Sequence, residues 1–351
     1  MTGLATTAST PLVTDHRRTI GWWLMGLCGM VLIMVVLGGV TRLTDSGLSM
    51  VDWRPVTGWL PPLNAAEWQA VFELYTVTPE YQKINAGMDV DGFKSIFWLE
   101  YLHRLWGRII GVAFFAPFAW FLVKGRLGGG LASKLLLMFV LGGAQGVLGW
   151  FMVKSGLVDR PDVSQYRLTA HLGLAILIYA YMFWVALGLL SDKASLAVSA
   201  GLRNLAAFSV LWILLTMLAG GFVAGLDAGL TYNTFPLMNG KVIPDGLFSQ
   251  SPLILNFFEN VTTVQFDHRM MAYGTILLVG LTWWRARKEG LTGKALIPFH
   301  HLLGLMVLQV VLGIGTLLLA VPVLLAALHQ LMAFLLLTTG LWSLHRVRKT
   351  Q

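Results

Sequence analysis

Cysteine is almost absent from this chain: Cys28 is the only one among 351 residues. A single thiol excludes an intramolecular disulfide, and the position of Cys28 within an apolar run favours a small, buried hydrophobic side chain. Nearly all connections between the long apolar runs are also too short to contain a soluble domain. The fold must therefore be explained by the apolar runs themselves.

Hydrophobic residues make up 56% of the chain, which is typical of a membrane protein. Crossing the hydrocarbon core takes about twenty mainly apolar residues in a helix. Runs of suitable length lie near residues 20–40, 96–123, 131–153, 168–190, 205–224, 264–284, 297–320 and 323–344. The sequence therefore predicts an all-α membrane protein with eight transmembrane helices. The first run is longer than the apolar core of a signal peptide and lacks a cleavage site, so we expect it to be retained.

Acidic residues are scarce on one side of the predicted bundle. If the N-terminus is inside, the inner segments contain only Asp15, Asp192 and Glu289 as acids. Their basic residues are Arg17, Arg18, Lys124, Arg126, Lys134, Lys193, Arg203, Arg285, Arg287, Lys288, Lys294, Arg346, Arg348 and Lys349. This asymmetry predicts a multi-pass protein of the cell inner membrane with both termini in the cytoplasm. The net charge of +8 then reflects orientation, and no nucleic-acid partner is expected.

The two halves of the chain resemble each other. The matching pairs are Gly38-Gly39 with Gly220-Gly221, Asp45 with Asp227, Glu100 with Gln265, His103-Arg104 with His268-Arg269, and Gln145 and Gly149 with Gln309 and Gly313. Four spans per copy is an even number, so both copies enter the membrane from the same side. We therefore expect two pseudo-symmetric four-helix bundles, residues 1–195 and 196–351, related by a twofold axis along the membrane normal.

Four histidines, His103, His171, His268 and His329, lie just inside the outer end of four different spans. Ionisable side chains within spans are functional candidates, and these four lie within roughly 10 Å of the outer boundary at 1.5 Å per residue. Neutral imidazoles are axial haem ligands. We predict that each half clamps one haem, because zinc would be expected to add Asp, Glu or Cys ligands nearby. The other histidines, His16, His300, His301 and His345, are expected to be surface or interface groups.

The residues beside these histidines distinguish the halves. Glu100 precedes His103 by three residues, on the same helical face, whereas its counterpart Gln265 cannot ionise. A carboxylate there could move protons or stabilise developing positive charge, or simply favour a helix N-terminus. Arg104 and Arg269 either pair with haem propionates or extend to the membrane interface. The first half is thus predicted to do chemistry and the second to transfer electrons.

The string GGVTRLTDSGLS at residues 38–49, the motif Glu100-x-x-His103-Arg104 and the three later histidines resemble the haem A synthase family over nearly all eight spans. The resemblance implies oxidation of the C8 methyl group of haem O to the formyl group of haem A, by two hydroxylations and loss of water. It also implies that His103 and His171 flank the substrate haem, that His268 and His329 ligate a haem b, and that Glu100 is catalytic. The outer loop lacks the cysteine pair of some members, so the chain is similar to the proteobacterial and mitochondrial branch.

Other functions remain open at this point. A dihaem cytochrome b that relays electrons from quinol would use the same four histidines, and so would a haem carrier or assembly factor. A transporter is disfavoured because the repeat is not inverted. Besides the bilayer, haem O and haem A, the candidate partners are haem O synthase, cytochrome oxidase assembly factors and a second copy of the chain. The outer loop at residues 41–95, with a helix expected after Asn64 and Glu67, is either a lid or an interfacial anchor.

Overall fold

The computed structural model describes residues 12–128, 130–158, 161–191, 196 and 198–348. Asp192, Lys193 and Lys349 of the predicted inner segments lie outside these residues. Residue 195, the predicted end of the first half, lies outside them as well.

Helices dominate the described residues, which contain no β-strand beyond an isolated bridge between Met238 and Lys241. The long helices are α1 (Leu12–Leu43), α4 (Val90–Val123), α5 (Leu131–Gly156), α6 (Gln165–Leu190), α7 (Ala200–Gly225), α9 (Val261–Lys288), α10 (Ile297–Leu318) and α11 (Val323–Val347). The short ones are α2 (Ala65–Thr76), α3 (Pro79–Lys83) and α8 (Asn256–Glu259), besides three 3₁₀ turns. The prediction of an all-α protein is confirmed.

Seven of the long helices in the described residues are long and apolar enough to cross a membrane, so the chain is a multi-pass membrane protein. The exception is α9, which has ample length at 28 residues but a more polar composition. Its first turns contain Thr262, Thr263, Gln265, Asp267, His268 and Arg269. The eighth predicted span is thus a long helix that packs against α7 and α10, but it is not a span by composition.

The long helices form two groups of four. Helices α1, α4, α5 and α6 pack in a ring, and α7, α9, α10 and α11 pack in a second ring. The groups meet where α1 contacts α11, α6 contacts α7 and α6 contacts α11. Exchanging the halves turns the α1–α11 contact into the α7–α6 contact, which is the relation a pseudo-twofold axis requires. The predicted pair of four-helix bundles is therefore present.

One pair of tryptophans shows how closely the halves correspond. The indole Nε1 of Trp106 in α4 donates to the carbonyl oxygen of Met30 in α1 at 2.9 Å. In the second half the Nε1 of Trp212 in α7 donates to the carbonyl oxygen of Met271 in α9, also at 2.9 Å. In the repeat, Met30 corresponds to Trp212 and Trp106 corresponds to Met271. The same two positions are therefore hydrogen-bonded in both halves, but the tryptophan that donates lies on the second helix in the first half and on the first helix in the second half.

The outer loop of the first half packs against the outer end of α4. Asn64 caps α2 by accepting from the backbone nitrogen of Glu67 at 3.0 Å, as predicted. Trp68 of α2 meets Phe97 of α4 edge to face, with 4.9 Å between ring centroids, and Tyr75 packs on Phe93. Aromatic contacts of this kind add to the stabilisation that burial gives. The loop is thereby fixed above the first bundle.

Candidate functional site

The four predicted histidines come from α4, α6, α9 and α11, which are the second and fourth helices of each ring. The side chains lie deep within the protein, yet each keeps part of its surface accessible. His103 and His171 are close enough to interact electrostatically, and so are His268 and His329. The structure therefore brings together the two predicted pairs, each within one half.

Each of these imidazoles lies against a glycine of a neighbouring helix. A Cβ added at the glycine would lie 2.8–3.1 Å from the nearest ring atom, closer than a side chain can normally approach. The four contacts are Gly38 of α1 with His103, Gly149 of α5 with His171, Gly220 of α7 with His268, and Gly313 of α10 with His329. Only a residue without a side chain allows the ring to pack this closely on the helix backbone.

A glutamine accompanies the second histidine of each pair. The Nε2 of Gln145 lies 3.2 Å from Nδ1 of His171 and donates to the carbonyl oxygen of His171 at 3.0 Å. The Nε2 of Gln309 lies 3.4 Å from Nε2 of His329. In the sequence these glutamines and the four glycines were recognised only as positions that recur in both halves, and no function was predicted for them. The repeated spacing of Gln145 with Gly149 and of Gln309 with Gly313 was the signal that could have identified them.

The donor set of each pair fits a haem better than a zinc ion. The Nδ1 atoms of His268 and His329 are buried and have no hydrogen-bond partner, an arrangement that costs about 1–3 kcal/mol per group. Ligation of one ring nitrogen and hydrogen bonding of the other is the usual arrangement in histidine–metal sites. In the described part of the chain no three His, Cys, Asp or Glu residues gather as a zinc site would require. Two imidazoles suffice for haem iron.

Glu100 is buried and every hydrogen-bonding position of its carboxylate is occupied from the outer side. Its Oε2 accepts from the hydroxyl of Ser49 at 2.7 Å and from the backbone nitrogen of Met50 at 2.8 Å. Its Oε1 accepts from Nε of Arg104 at 3.0 Å and also pairs with Nη2 of that guanidinium. The two guanidinium nitrogens at Oε1 and the two donors at Oε2 hold the carboxylate in one orientation.

Gln265 occupies the corresponding place in the second half. Its side chain donates a hydrogen bond to the neighbouring backbone, whereas the side chain of Glu100 accepts one. The Nε2 of Gln265 donates to the carbonyl oxygen of Tyr232 at 3.3 Å, and its Oε1 is buried without a partner. Tyr232 corresponds to Met50, whose backbone nitrogen donates to Glu100. The predicted difference between the halves is therefore also a difference in hydrogen bonding, since only the first half has a carboxylate here.

Arg104 and Arg269 have a function that the sequence did not predict. Arg104 donates to the carbonyl oxygens of Met50 at 2.8 Å and Asp52 at 3.0 Å. Arg269 donates at the same two distances to the corresponding residues, Tyr232 and Thr234. Each arginine thus ties the outer segment of its half to the helix with the first histidine. Both side chains are buried.

The remaining histidines stay away from the paired sites. His300 and His301 are exposed at the inner end of α10, as expected, and His16 is partly exposed. The prediction was wrong for His345, which is 5% exposed. Its ring packs edge to face on Trp184 of α6, with 5.1 Å between centroids. The inner turn of α11 that contains His345 therefore packs into the protein, although charged residues follow it.

Comparisons with known proteins identify the family of this chain. Residues 21–341 match the COX15-CtaA family, described as cytochrome oxidase assembly protein. A relative from Nitrosospira multiformis named heme A synthase is 52% identical over 350 residues, covering 98% of each chain. Another of that name, from Paramagnetospirillum magneticum, is 51% identical over 344 residues, covering 95% of each chain. Heme A synthase COX15 of Arabidopsis thaliana is 44% identical over 345 residues, covering 95% of this chain and 75% of the relative.

Proposed function

This chain belongs to the COX15-CtaA family of cytochrome oxidase assembly proteins, and we propose that it is an oxidoreductase that converts haem O into haem A. The reaction oxidises the C8 methyl group of haem O to a formyl group through successive hydroxylations. The observation that carries the proposal is the pair of buried imidazoles repeated in each half. A protein that oxidises one haem with electrons passed through another needs two such sites.

In this proposal the first half, residues 1–195, binds the substrate. His103 and His171 hold the iron of haem O from α4 and α6, with Gly38 and Gly149 giving both rings space on the neighbouring helices. Arg104 positions the outer segment through its bonds to the carbonyl oxygens of Met50 and Asp52. Pairing of Arg104 and Arg269 with haem propionates stays a prediction.

The second half, residues 196–351, holds the resident cofactor. His268 and His329 would ligate a haem b, and the packing of both rings on Gly220 and Gly313 of the neighbouring helices supports this assignment. Haem b supplies one-electron transfer when it is bound. Gln265 stands where the first half has the carboxyl group of Glu100, as suits a haem that only transfers electrons.

Glu100 is the proposed catalytic residue. Arg104, Ser49 and the backbone nitrogen of Met50 fix its carboxylate, so it needs little reorganisation when positive charge develops nearby. The aromatic cluster of α2 and α4 includes Tyr101, next to Glu100, and Glu100 itself is 2% exposed. In a medium of low polarity a fixed carboxylate stabilises positive charge far more than it would in water.

We further propose that the protein lies in the cell inner membrane with both termini in the cytoplasm. Arg17, Arg18, Arg287 and Lys288 are exposed at the helix ends on that side, in keeping with the positive-inside rule. Haem O synthase is the proposed source of the substrate. Cytochrome oxidase assembly factors and a second copy of the chain are further proposed partners.

Replacing Glu100 with glutamine tests this function, because the change keeps the shape of the side chain and removes its charge. We expect wild-type membranes supplied with haem O to form haem A. Glu100→Gln should retain bound haem but accumulate haem O or a hydroxylated intermediate, with haem A formation lowered about a hundredfold or more. Extracted haems are identified by mass spectrometry, and Glu73→Gln, which changes an exposed acid of α2, is the control.

Normal haem A formation by Glu100→Gln would remove Glu100 from the mechanism. A wild-type protein that contains only haem b, forms no haem A and oxidises quinol would instead be a dihaem cytochrome b. A protein that binds and releases haem O unchanged would be a carrier.

A further inference from the structure

A second buried acid, Glu80, lies in the outer loop of the first half. Glu80 and Glu100 are the only buried acids in the described residues, and both belong to this half. Glu80 is 3% exposed on the short helix α3, and its Oε2 has no hydrogen-bond partner. Glu100 pairs with Arg104, but no ion pair in the described residues includes Glu80.

The groups that face Glu80 are neutral or acidic. Its polar neighbour is the hydroxyl of Tyr75, which also accepts from Nδ2 of Asn85 at 2.7 Å. The charged groups that act on it are Glu100 and, more weakly, Asp45 and Asp162. A carboxyl group in such surroundings is held in its neutral form, since no cation compensates for the loss of hydration.

The pKa of Glu80 shows the effect of this environment. Burial raises the pKa of the carboxyl to about 8, the bond with Tyr75 opposes the rise, and the nearby acids add to it. Glu80 is therefore mainly a neutral acid at pH 7 and has no cationic partner, whereas the carboxyl group of Glu100 forms an ion pair with Arg104.

We propose that Glu80 exchanges protons between the Glu100 side of the first-half site and the water outside the membrane. This inference rests on the proposed function, taken with water as the oxygen source, for which the balance is R–CH3 + H2O → R–CHO + 4 H+ + 4 e−. The four electrons pass to an electron acceptor of the quinone class, and the four protons must leave the site. In each cycle the carboxylic acid of Glu80 gives its proton to outer water and becomes a carboxylate. The carboxylate then takes a proton from the side of the site and returns to the acid. No electron passes through Glu80, which acts as a positioning and proton-holding residue and does not touch the substrate.

The second half supports this assignment because it needs no such group for electron transfer. The acids of its outer connection are Asp227 and Asp245, which are exposed, and Glu259, which is partly exposed and accepts from the hydroxyl of Tyr166 at 2.8 Å. None of the three is buried without a partner. Among the residues that the structure describes, an unpaired buried acid therefore occurs only in the half that has Glu100.

Glu80→Gln and the control Glu73→Gln test the proposal in the full-length, haem-loaded protein. Wild-type haem A formation should rise about tenfold per pH unit below the pKa of Glu80 and level off above it, because the exit group must release its proton. Glu80→Gln should lose this rise, and Glu73→Gln should keep it. Infrared difference spectra should show a carboxylic acid signal that disappears between pH 7 and about 9 in the wild type and is absent in Glu80→Gln.

Tyr75→Phe provides a second variant should Glu80→Gln fail to fold. Removing the phenol hydroxyl removes the bond that lowers the pKa of Glu80, so the rise in haem A formation should move to higher pH. An unchanged pH profile in Glu80→Gln, or an unshifted one in Tyr75→Phe, would show that Glu80 only packs α3. A wild-type protein that forms no haem A would overturn the proposed function and the proton exchange together, while the infrared titration would still report the protonation of Glu80.

Discussion

At the scale of single residues, the candidate sites depend as much on glycine as on histidine. Each of the four histidines packs on a glycine of the neighbouring helix, where any side chain would force the ring to move. Glycine in a helix normally lowers stability relative to alanine. Its presence at Gly38, Gly149, Gly220 and Gly313 is therefore explained by the space that the imidazoles need.

Two glycines of α10 allow this explanation to be tested. A Cβ at Gly313 would lie 2.8 Å from Cε1 of His329, whereas a Cβ at Gly315 would meet nothing within 4 Å. We expect Gly315→Ala to raise the stability of the protein by up to about 1 kcal/mol and to leave haem content unchanged. Gly313→Ala should displace His329 and reduce haem bound in the second half. Thermal unfolding and extracted haem measure the two effects, and equal haem in both variants would contradict this account.

The sequence pointed to ionisable candidate residues more readily than to the residues that contact them. His103, His171, His268 and His329 were predicted as ligands because an ionisable group within an apolar run is conspicuous, and their ligation of haem stays a prediction. The contacts of Gln145 and Arg104 were not predicted, because they depend on which helices are neighbours and on where the outer loop passes. The burial of His345 was missed for the same reason, since the sequence places it beside basic residues and does not show that α6 packs against it.

At the scale of elements, each outer segment is tied to the helix that follows it by one arginine. Arg104 and Arg269 bond to corresponding pairs of carbonyl oxygens at the same distances. The planar guanidinium can reach two acceptors at once, which a lysine ammonium does with less directional control. These arginines therefore determine where the outer segments lie relative to the first histidine of each pair.

Arg269→Lys should loosen the outer segment of the second half, because lysine cannot reproduce both bonds. We expect backbone amide exchange at residues 231–234 to become about tenfold faster, with exchange in α10 and α11 unchanged. Hydrogen–deuterium exchange with mass spectrometry measures this. Arg54→Lys, which alters an exposed ion pair with Asp52, is the control and should change exchange little. Unaltered exchange at residues 231–234 would show that Arg269 does not hold the segment.

At the scale of the whole molecule, the chain consists of two copies of one bundle. At the position where the first copy has Glu100, the second copy has Gln265. The copies meet at α1, α6, α7 and α11. At the outer side Arg42 joins them by pairing with Asp45 of its own half at 2.9 Å and Asp227 of the other at 3.0 Å. The repeat was predicted from the sequence because motifs recur in order. Helix α9 is less apolar than the prediction of an eighth span assumed, because it contributes Gln265, His268 and Arg269 to the second site.

The haem content of the four single His→Ala variants tests the central claim most directly. We predict that His268→Ala and His329→Ala each lose haem b and keep the substrate haem, while His103→Ala and His171→Ala lose the substrate haem and keep haem b. Extraction with mass spectrometry and absorption spectra identify which haem is lost. Loss of one and the same haem from variants in both halves, or full haem content in all four, would contradict the account.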